Sequence, residues 1–230
     1  AHYRLLSTVA DSELRKRLEH EAVRNGWTSR QLEEQICPNP TPNVSPPATA
    51  QQLSPRHGTA GIYRLAANGD ALTVDLGFTA YLDLTPEQAH GLKKDDFVRL
   101  HSKQIVQKAE AAKPSDLYTY RAEVLRVVDG DTLWMKIYLR PRHWLKEKLR
   151  LRGIDCPEMD TAEGKAAKKF VEVLMTRMVS VTITTTKPDK WDRYLSDVFL
   201  ETNSGEELFL NNLLLENGHA VRKDNFTLND

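Results

Sequence analysis

Carboxylates and guanidiniums crowd into the stretch from Val127 to Asp197 in a spacing that packing alone does not require. Its first segment, Val127-Val128-Asp129-Gly130-Asp131-Thr132-Leu133, sets an Asp-Gly turn between two apolar runs, so Asp131 leaves the turn at the start of a strand. The second, Leu149 to Glu158, alternates as a strand with Arg150 and Arg152 on one face. Gly153 and Pro157 then break it, and Asp155 and Glu158 project from its end. The third is a charged loop that carries Lys190, Trp191, Asp192 and Arg193 into the apolar strand Val198-Phe199-Leu200. Taken singly, Asp-Gly-Asp reads as a hairpin turn and the two-arginine strand as a solvated face. Taken together, they offer two carboxylates able to share a hard cation, a third free to act as a base, and two arginines shaped for phosphate oxygens. These are the components of metal-assisted phosphodiester hydrolysis.

Such groups meet only if the elements carrying them do. The periodicity predicts strands over 119–128, 132–140 and 148–154, a helix over 162–178, strands over 179–186 and 194–200, and a helix over 208–217. Five short strands with a helix between the third and fourth fit a Greek-key barrel of the OB type. The basic tract from Arg140 to Lys148 is interrupted by Pro141 and reads as a projecting hairpin loop, with Trp144 and Leu145 anchoring it or touching a substrate.

The first half of the chain carries less chemistry. Residues 1–36 read as a helical segment: Asp11-Ser12-Glu13 begins one helix, Leu14, Leu18, Ala22 and Val23 follow at helical spacing, and Asn25-Gly26 stops it. Thr28 and Gln31 form a capping box for a second helix to Ile36, with Trp27 stapled before the cap and Leu32 and Ile36 on its buried face. Residues 37–61 are rich in Pro, Thr, Ser and Ala and read as an extended linker. Residues 62–113 read as a small β-rich module and connector. A hairpin turns at Asn68-Gly69-Asp70, Thr85-Pro86-Glu87 opens a short helix, Phe97 to Leu100 is a strand, and Gln104 to Lys113 is helix or linker. Residues 114–230 complete an α+β, multi-domain chain.

The C-terminal segments, in this order, resemble the staphylococcal nuclease (thermonuclease) family from Tyr118 to about Arg222. The resemblance rests on Val128-Asp129-Gly130-Asp131-Thr132, Arg150 with Gly153-Ile154-Asp155-Cys156-Pro157-Glu158, the helix Gly164 to Phe170, Asp192-Arg193-Tyr194, and Leu210-Asn211-Asn212-Leu213 through Gly218-His219-Ala220. It implies an OB-type fold and a calcium-dependent nuclease of low sequence preference, acting on DNA and possibly RNA and leaving 3′-phosphates. It further implies that Asp131, Asp155 and the backbone carbonyl of Cys156 hold one Ca2+. Glu158 would activate the attacking water, and Arg150 and Arg193 would fork onto the phosphate. Lys190, Trp191 and Arg152 are the candidate substrate-binding residues. Cys156 stands where family members often have Thr, and Trp191-Asp192 replaces Tyr-Gly. The lesser alternative is a salt bridge from Arg150 to Glu158 or Asp155, and from Arg193 to Asp192. A catalytically weak or inactive OB-fold module that binds nucleic acid or protein is the alternative function. In the first half, His2-Tyr3-Arg4-Leu5-Leu6, Ala22, Asn25-Gly26-Trp27 and Arg30-Gln31-Leu32-Glu33 resemble the end of the helical N-terminal module of a bacterial PD-(D/E)XK nuclease family, which implies a bacterial, cytoplasmic, DNA-associated setting.

A formal net charge of zero excludes a protein whose whole surface grips nucleic acid, so a polyanion has to meet a local patch. Arg140, Arg142, Lys146, Lys148, Arg150 and Arg152, with Lys165, Lys168 and Lys169, supply one. Cys37 and Cys156 make neither a disulfide framework nor a thiolate metal cluster, and the histidines show no zinc-ligand spacing. No apolar run is long enough to cross a bilayer and the front does not read as a signal peptide, so the chain as given reads as soluble. Its first residue is Ala rather than Met, which leaves open an upstream segment. Residues 62–101 are the candidate docking surface, for a protein partner or for the nuclease-like part itself.

Overall fold

The computed structural model describes residues 12–28, 31–32, 52–101, 106–188 and 193–223. By its contacts the chain divides into Ala1–Ser45 and Pro46–Asp230. In the first unit, helix α1 spans Ser12–Asn25 and buries Leu18 and Ala22 with Leu32, against which Trp27 packs. Thr28 N donates to Gln31 Oε1 (2.8 Å) and Gln31 N to Thr28 Oγ1 (3.3 Å), the reciprocal capping box that the spacing predicts. His2 to Leu6, Arg30 and Glu33, and Cys37 lie outside the described residues.

The second unit opens with residues 52–60, which run extended and without strand partners. These residues fall in the stretch read as linker, yet they are tied down. Leu53 is buried and its N–H and C=O meet both ends of the Asn212 amide, at 2.8 and 3.1 Å. Arg56 N donates to Asp197 Oδ2 (2.6 Å). One leucine inserted into the core and paired backbone groups suffice to seat a segment whose composition promises nothing.

A five-stranded antiparallel sheet comes next: β1 (Ile62–Asn68), β2 (Ala71–Asp75), β3 (Tyr81–Asp83), β4 (Phe97–Leu100) and β5 (Val106–Lys108), in the order β3-β2-β1-β4-β5. A one-turn helix α2 (Pro86–Ala89) sits between β3 and β4, with a capping box from Thr85 and Gln88. The connector read as helix or linker instead contains β5, whose Val106, Gln107 and Lys108 pair with Leu100, Arg99 and Val98. The open edge of β4 supplies those hydrogen bonds, which no local alanine content reveals. The sheet packs against the C-terminal strands. Tyr120 Oη donates to Leu76 O (2.9 Å), Tyr118 Oη to Asp75 Oδ2 (3.0 Å), and Phe78 meets Tyr120 and Tyr194 at 5.4 and 4.5 Å between ring centroids. Tyr63, Leu65, Val74 and Val98 share one core with the barrel residues, so residues 62–101 dock within the chain.

The barrel is built from β6 (Thr119–Val127), β7 (Thr132–Arg140), β8 (His143–Leu151), β10 (Met178–Pro188) and β11 (Tyr194–Thr202). The pairing order β10-β6-β7-β8-β11 closes through β10–β11; β8–β11 is parallel and the other pairs antiparallel. Alternation drives it. Leu133, Met135, Ile137 and Leu139 of β7 point inward and are buried, while Trp134, Lys136, Tyr138 and Arg140 point outward. The tract read as a hairpin loop is strand instead: β7 and β8 pair down to Arg140–His143, and Pro141-Arg142 alone make the turn, with Arg142 at φ +65°. Pro141 breaks the ladder only where the chain is already reversing, so the strand resumes directly after it.

Helix α3 (Ala162–Met175) comes after a short strand β9 (Ile154–Asp155) and buries Gly164, Ala167, Val171 and Leu174, the stripe expected of one packed face. Helix α4 (Leu210–Glu216), preceded by β12 (Glu207–Phe209), buries Leu210, Asn211, Leu214 and Leu215. The final described strand, β13 (Val221–Arg222), pairs with β9. No helix among the described residues is long and apolar enough to cross a membrane.

Candidate active site

The β6–β7 turn and the loop after β9 meet at one end of the barrel. Asp131 ends the β6–β7 turn, and the β7–β8 register sets Thr132 opposite Arg150, which carries the guanidinium to the carboxylate. Leu151 N donates to Asp131 O (2.8 Å), and Cys156 N donates to Asp131 Oδ2 (2.9 Å), binding the turn to the loop after β9. Gly130 permits that approach: a Cβ there would lie 2.7 Å from Cys156 Sγ and 2.8 Å from Ala167 Cβ.

Arg150 sits between the two carboxylates. Its Nη1 is 2.9 Å from Asp131 Oδ1, and its Nη2 donates to Asp155 Oδ1. The far oxygen of Asp155 meets Lys223 Nζ at 2.8 Å. Asp131 and Asp155 are thus brought to opposite arms of one guanidinium, and the salt-bridge reading of Arg150 with Asp155 is realised together with the clustering of both acids. Burial pushes the Asp131 carboxyl up to about 6, against the opposing pull of the Cys156 N–H and the Arg150 charge. Burial also pushes the Cys156 thiol up, which favours its neutral form.

Glu158 is exposed and lies in the loop between β9 and α3. Its carbonyl accepts from Thr161 N (3.0 Å) and Thr161 Oγ1 (2.7 Å), while Thr161 Oγ1 caps α3 by accepting from Gly164 N (3.0 Å). Gly164 then presses on Glu158 from below, since a Cβ there would stand 2.1 Å from the Glu158 carbonyl oxygen. The N-terminus of α3 is therefore fastened against the backbone of Glu158. Arg193 is half-buried and immediately precedes β11, whose Tyr194 and Leu195 pair with Leu149 and Arg150. Lys190, Trp191 and Asp192 lie outside the described residues.

Arg152, expected to bind substrate, is engaged elsewhere. Its Nε and Nη2 meet the two oxygens of Asp197 at 2.6 and 2.8 Å, and Nη2 also donates to Ser54 O at 3.0 Å. Asp197 is 1% exposed, so this pair ties the 52–60 segment to β11. Asn211, fully buried, completes the same joint: it accepts from Val198 N (3.1 Å) and donates to Arg152 O (2.9 Å) and Ser196 O (3.2 Å). Lys223, Asp197 and Asn211 carried no assigned role in the sequence reading. An amide inside the apolar run Leu210 to Leu215 was the one visible signal, whereas Lys223 reaches the site only through the β13–β9 pairing. His219 packs on Phe170, 4.5 Å between centroids, and its pKa is lowered by burial.

The donor set suits a hard divalent cation. Asp131 and Asp155 each turn an oxygen toward the same cationic group, and a carbonyl oxygen lies next in sequence at Cys156. Among the described residues no three His, Cys, Asp or Glu side chains gather, so a cation here would depend on two carboxylates plus backbone, water and phosphate oxygens.

Fold and site together define an OB-type barrel, within an α+β chain, that carries a carboxylate–guanidinium cluster where the β6–β7 turn meets the loop after β9. Residues 148–229 match the model of the family described as staphylococcal nuclease homologue. A probable staphylococcal-like nuclease of Oryza sativa subsp. japonica is 27% identical over 192 residues, covering 81% of this chain and 36% of that protein. An uncharacterized protein of Methanocaldococcus jannaschii is 32% identical over 137 residues, 48% of this chain and 63% of that one. The chain therefore spans less than two thirds of either relative. The family match begins at Lys148; Asp131 precedes it and is joined to it by strand pairing, the Leu151 and Cys156 N–H groups and Arg150.

Proposed function

We propose that this chain is a calcium-dependent nuclease that hydrolyses phosphodiester bonds of DNA, and of RNA, with low sequence preference and leaves 3′-phosphate ends. The observation that carries the reading is the meeting of Asp131 and Asp155 on Arg150, with Glu158 held one loop away on the cap of α3.

In this reading Asp131, Asp155 and the Cys156 carbonyl hold Ca2+, which would supply charge neutralisation at a phosphate oxygen and a site for water. Arg150 and Arg193 would each present a guanidinium fork to the phosphate. Glu158, an exposed carboxylate in the loop after Asp155, accepts a proton from the attacking water. Residues 46–230 act as the catalytic unit, with the 62–113 sheet as its buttress, while residues 1–36 serve as a separate helical segment.

A second reading, a weak or inactive OB-type module that binds nucleic acid, draws on one specific feature: Arg150 and Lys223 already neutralise both acids. The two are separated by incubating a labelled single-stranded oligonucleotide with the chain in calcium, in chelator, and with Glu158→Gln. The nuclease reading expects calcium-dependent cleavage, reduced about 10²–10⁴-fold by the substitution. A strand retarded in a gel but left whole in calcium would favour the binding module.

A further inference from the structure

Strand β13 brings a lysine into the carboxylate cluster. Val221 pairs with Asp155 and Arg222 with Ile154, and Lys223 N continues the ladder by donating to Gly153 O at 3.0 Å. Val221 and Lys223 therefore share a face of the strand. Asp155 lies diagonally across from Lys223, within reach of a four-carbon stem, and Lys223 Nζ stands 2.8 Å from Asp155 Oδ2.

The strand has other means of staying in place. Its ladder is made of backbone bonds, His219 N and Ala220 N donate to Leu214 O just before it (2.8 and 3.2 Å), and Arg222 Nη1 donates to Gln52 O (3.3 Å). Lys223 and Asp155 are 43% and 38% exposed, and an ion pair so open to water contributes little to stability. Its effect falls on the acid instead, because the oxygens of the cluster are held unequally. Asp131 Oδ1 accepts from Arg150 Nη1 and Thr132 Oγ1, Asp131 Oδ2 accepts from Cys156 N, and Asp155 Oδ1 accepts from Arg150 Nη2. That guanidinium is only 16% exposed. Asp155 Oδ2 meets Lys223, the most exposed of these partners and one on a flexible stem. A hard divalent cation seeks the same oxygen, with an affinity that depends on the charge its ligands carry. Lys223 and such a cation are thus alternative occupants of Asp155 Oδ2, and the ammonium also offsets the negative charge that draws the cation in.

Resting on the nuclease reading for the identity of the metal ligands, we propose that Lys223 is a tethered counter-ion that competes with Ca2+ for Asp155. Strand β13 thereby raises the calcium concentration at which the site fills. Lys223 yields the oxygen without undoing the strand, since the ladder bonds are made by the backbone and the stem swings into solvent.

The test uses the full chain with Lys223→Met, Lys223→Arg and Arg222→Gln, each checked for an unchanged thermal midpoint in chelator. Calorimetric titration with CaCl2 at fixed ionic strength reads the dissociation constant, and the rise of the thermal midpoint with calcium reads it a second time. Cleavage of a labelled strand by wild type in saturating calcium is measured alongside. Lys223→Met is expected to tighten calcium binding about tenfold at unchanged stoichiometry, the effect of removing one charge about 5 Å from a divalent ion in a watery setting. The midpoint curve should move to correspondingly lower calcium. Lys223→Arg keeps the charge and Arg222→Gln keeps the lysine, so both should bind calcium no more tightly than wild type. A Lys223→Met chain that binds calcium no more tightly than wild type overturns the counter-ion role; cleavage by wild type in the same experiment leaves the nuclease reading standing. Tightening in Lys223→Met with no cleavage by wild type sustains the counter-ion role and sinks the nuclease reading. Equal tightening in Lys223→Arg or Arg222→Gln, or no calcium uptake by any of the chains, overturns the proposal.

Discussion

Gly164→Ala tests whether the start of α3 positions Glu158. The new Cβ would stand 2.1 Å from the Glu158 carbonyl oxygen, 2.6 Å from its carbon and 2.7 Å from the Pro157 oxygen, all backbone atoms that no rotamer change can clear. Reaching even the 3.0 Å that real Cβ contacts respect requires a separation of about 0.9 Å. That movement falls on the loop carrying Glu158, because the helix is held on its other side by the buried Ala167, Val171 and Leu174. A misplacement of roughly 1 Å at a reacting group costs on the order of 10²-fold in rate. For stability, alanine favours the helix by about 1 kcal/mol and overpacking costs about 1–3 kcal/mol, so the net loss is at most about 2 kcal/mol. Single-turnover cleavage of a labelled strand at saturating calcium should therefore fall about 100-fold, with strand affinity held within about threefold and a melting shift of a few degrees. A variant that cleaves within about twofold of wild type would refute the argument that this close approach positions the base.

Two further outcomes arise from the charges. Asp197→Ala strands the Arg152 guanidinium and frees Arg56 N, so urea unfolding should show a loss of about 3–5 kcal/mol; a loss under about 1 kcal/mol would mean the pair is not buried as described. Without metal, the folded chain holds the Asp131 proton up to about pH 6, against the ordinary 3.8, and so binds it more tightly than the unfolded chain. Its contribution therefore favours folding below about pH 4 and is lost as pH rises from about 4 to 6. Thermal melts in chelator should show this decline in wild type and a shallower one in Asp131→Asn; parallel curves would contradict the burial of the charge.

The barrel was readable because its strands alternate cleanly. Leu133, Met135, Ile137 and Leu139 give the inward face of β7, and the boundaries 119–128 and 132–140 fall within a residue of the observed strands. Asp131, Arg150 and Asp155 were readable as chemistry because no packing need explains them. What stayed hidden depends on partners far along the chain. Arg150 and Arg152 share a period-2 face in the sequence, but one meets two acids and the other is consumed by Asp197, 45 residues later. Pro141 looked like the start of a loop because a proline forbids a ladder bond wherever it sits, and only the turn shows that none was required. Residues 52–60 read as linker for want of periodicity, which extended segments seated by backbone hydrogen bonds need not have. Lys223 gives no local sign at all, since its approach to Asp155 is set by the β9–β13 pair.

The most direct test of the proposed metal site is a calorimetric titration of the chain with Ca2+. Asp131 and Asp155 should bind one ion per chain, Asp155→Asn should weaken that binding at least about tenfold, and Arg150→Gln, which removes the competing guanidinium, should bind as tightly as wild type or more so. An Asp155→Asn chain that titrates like wild type, or a wild-type chain that takes up no calcium, would contradict it.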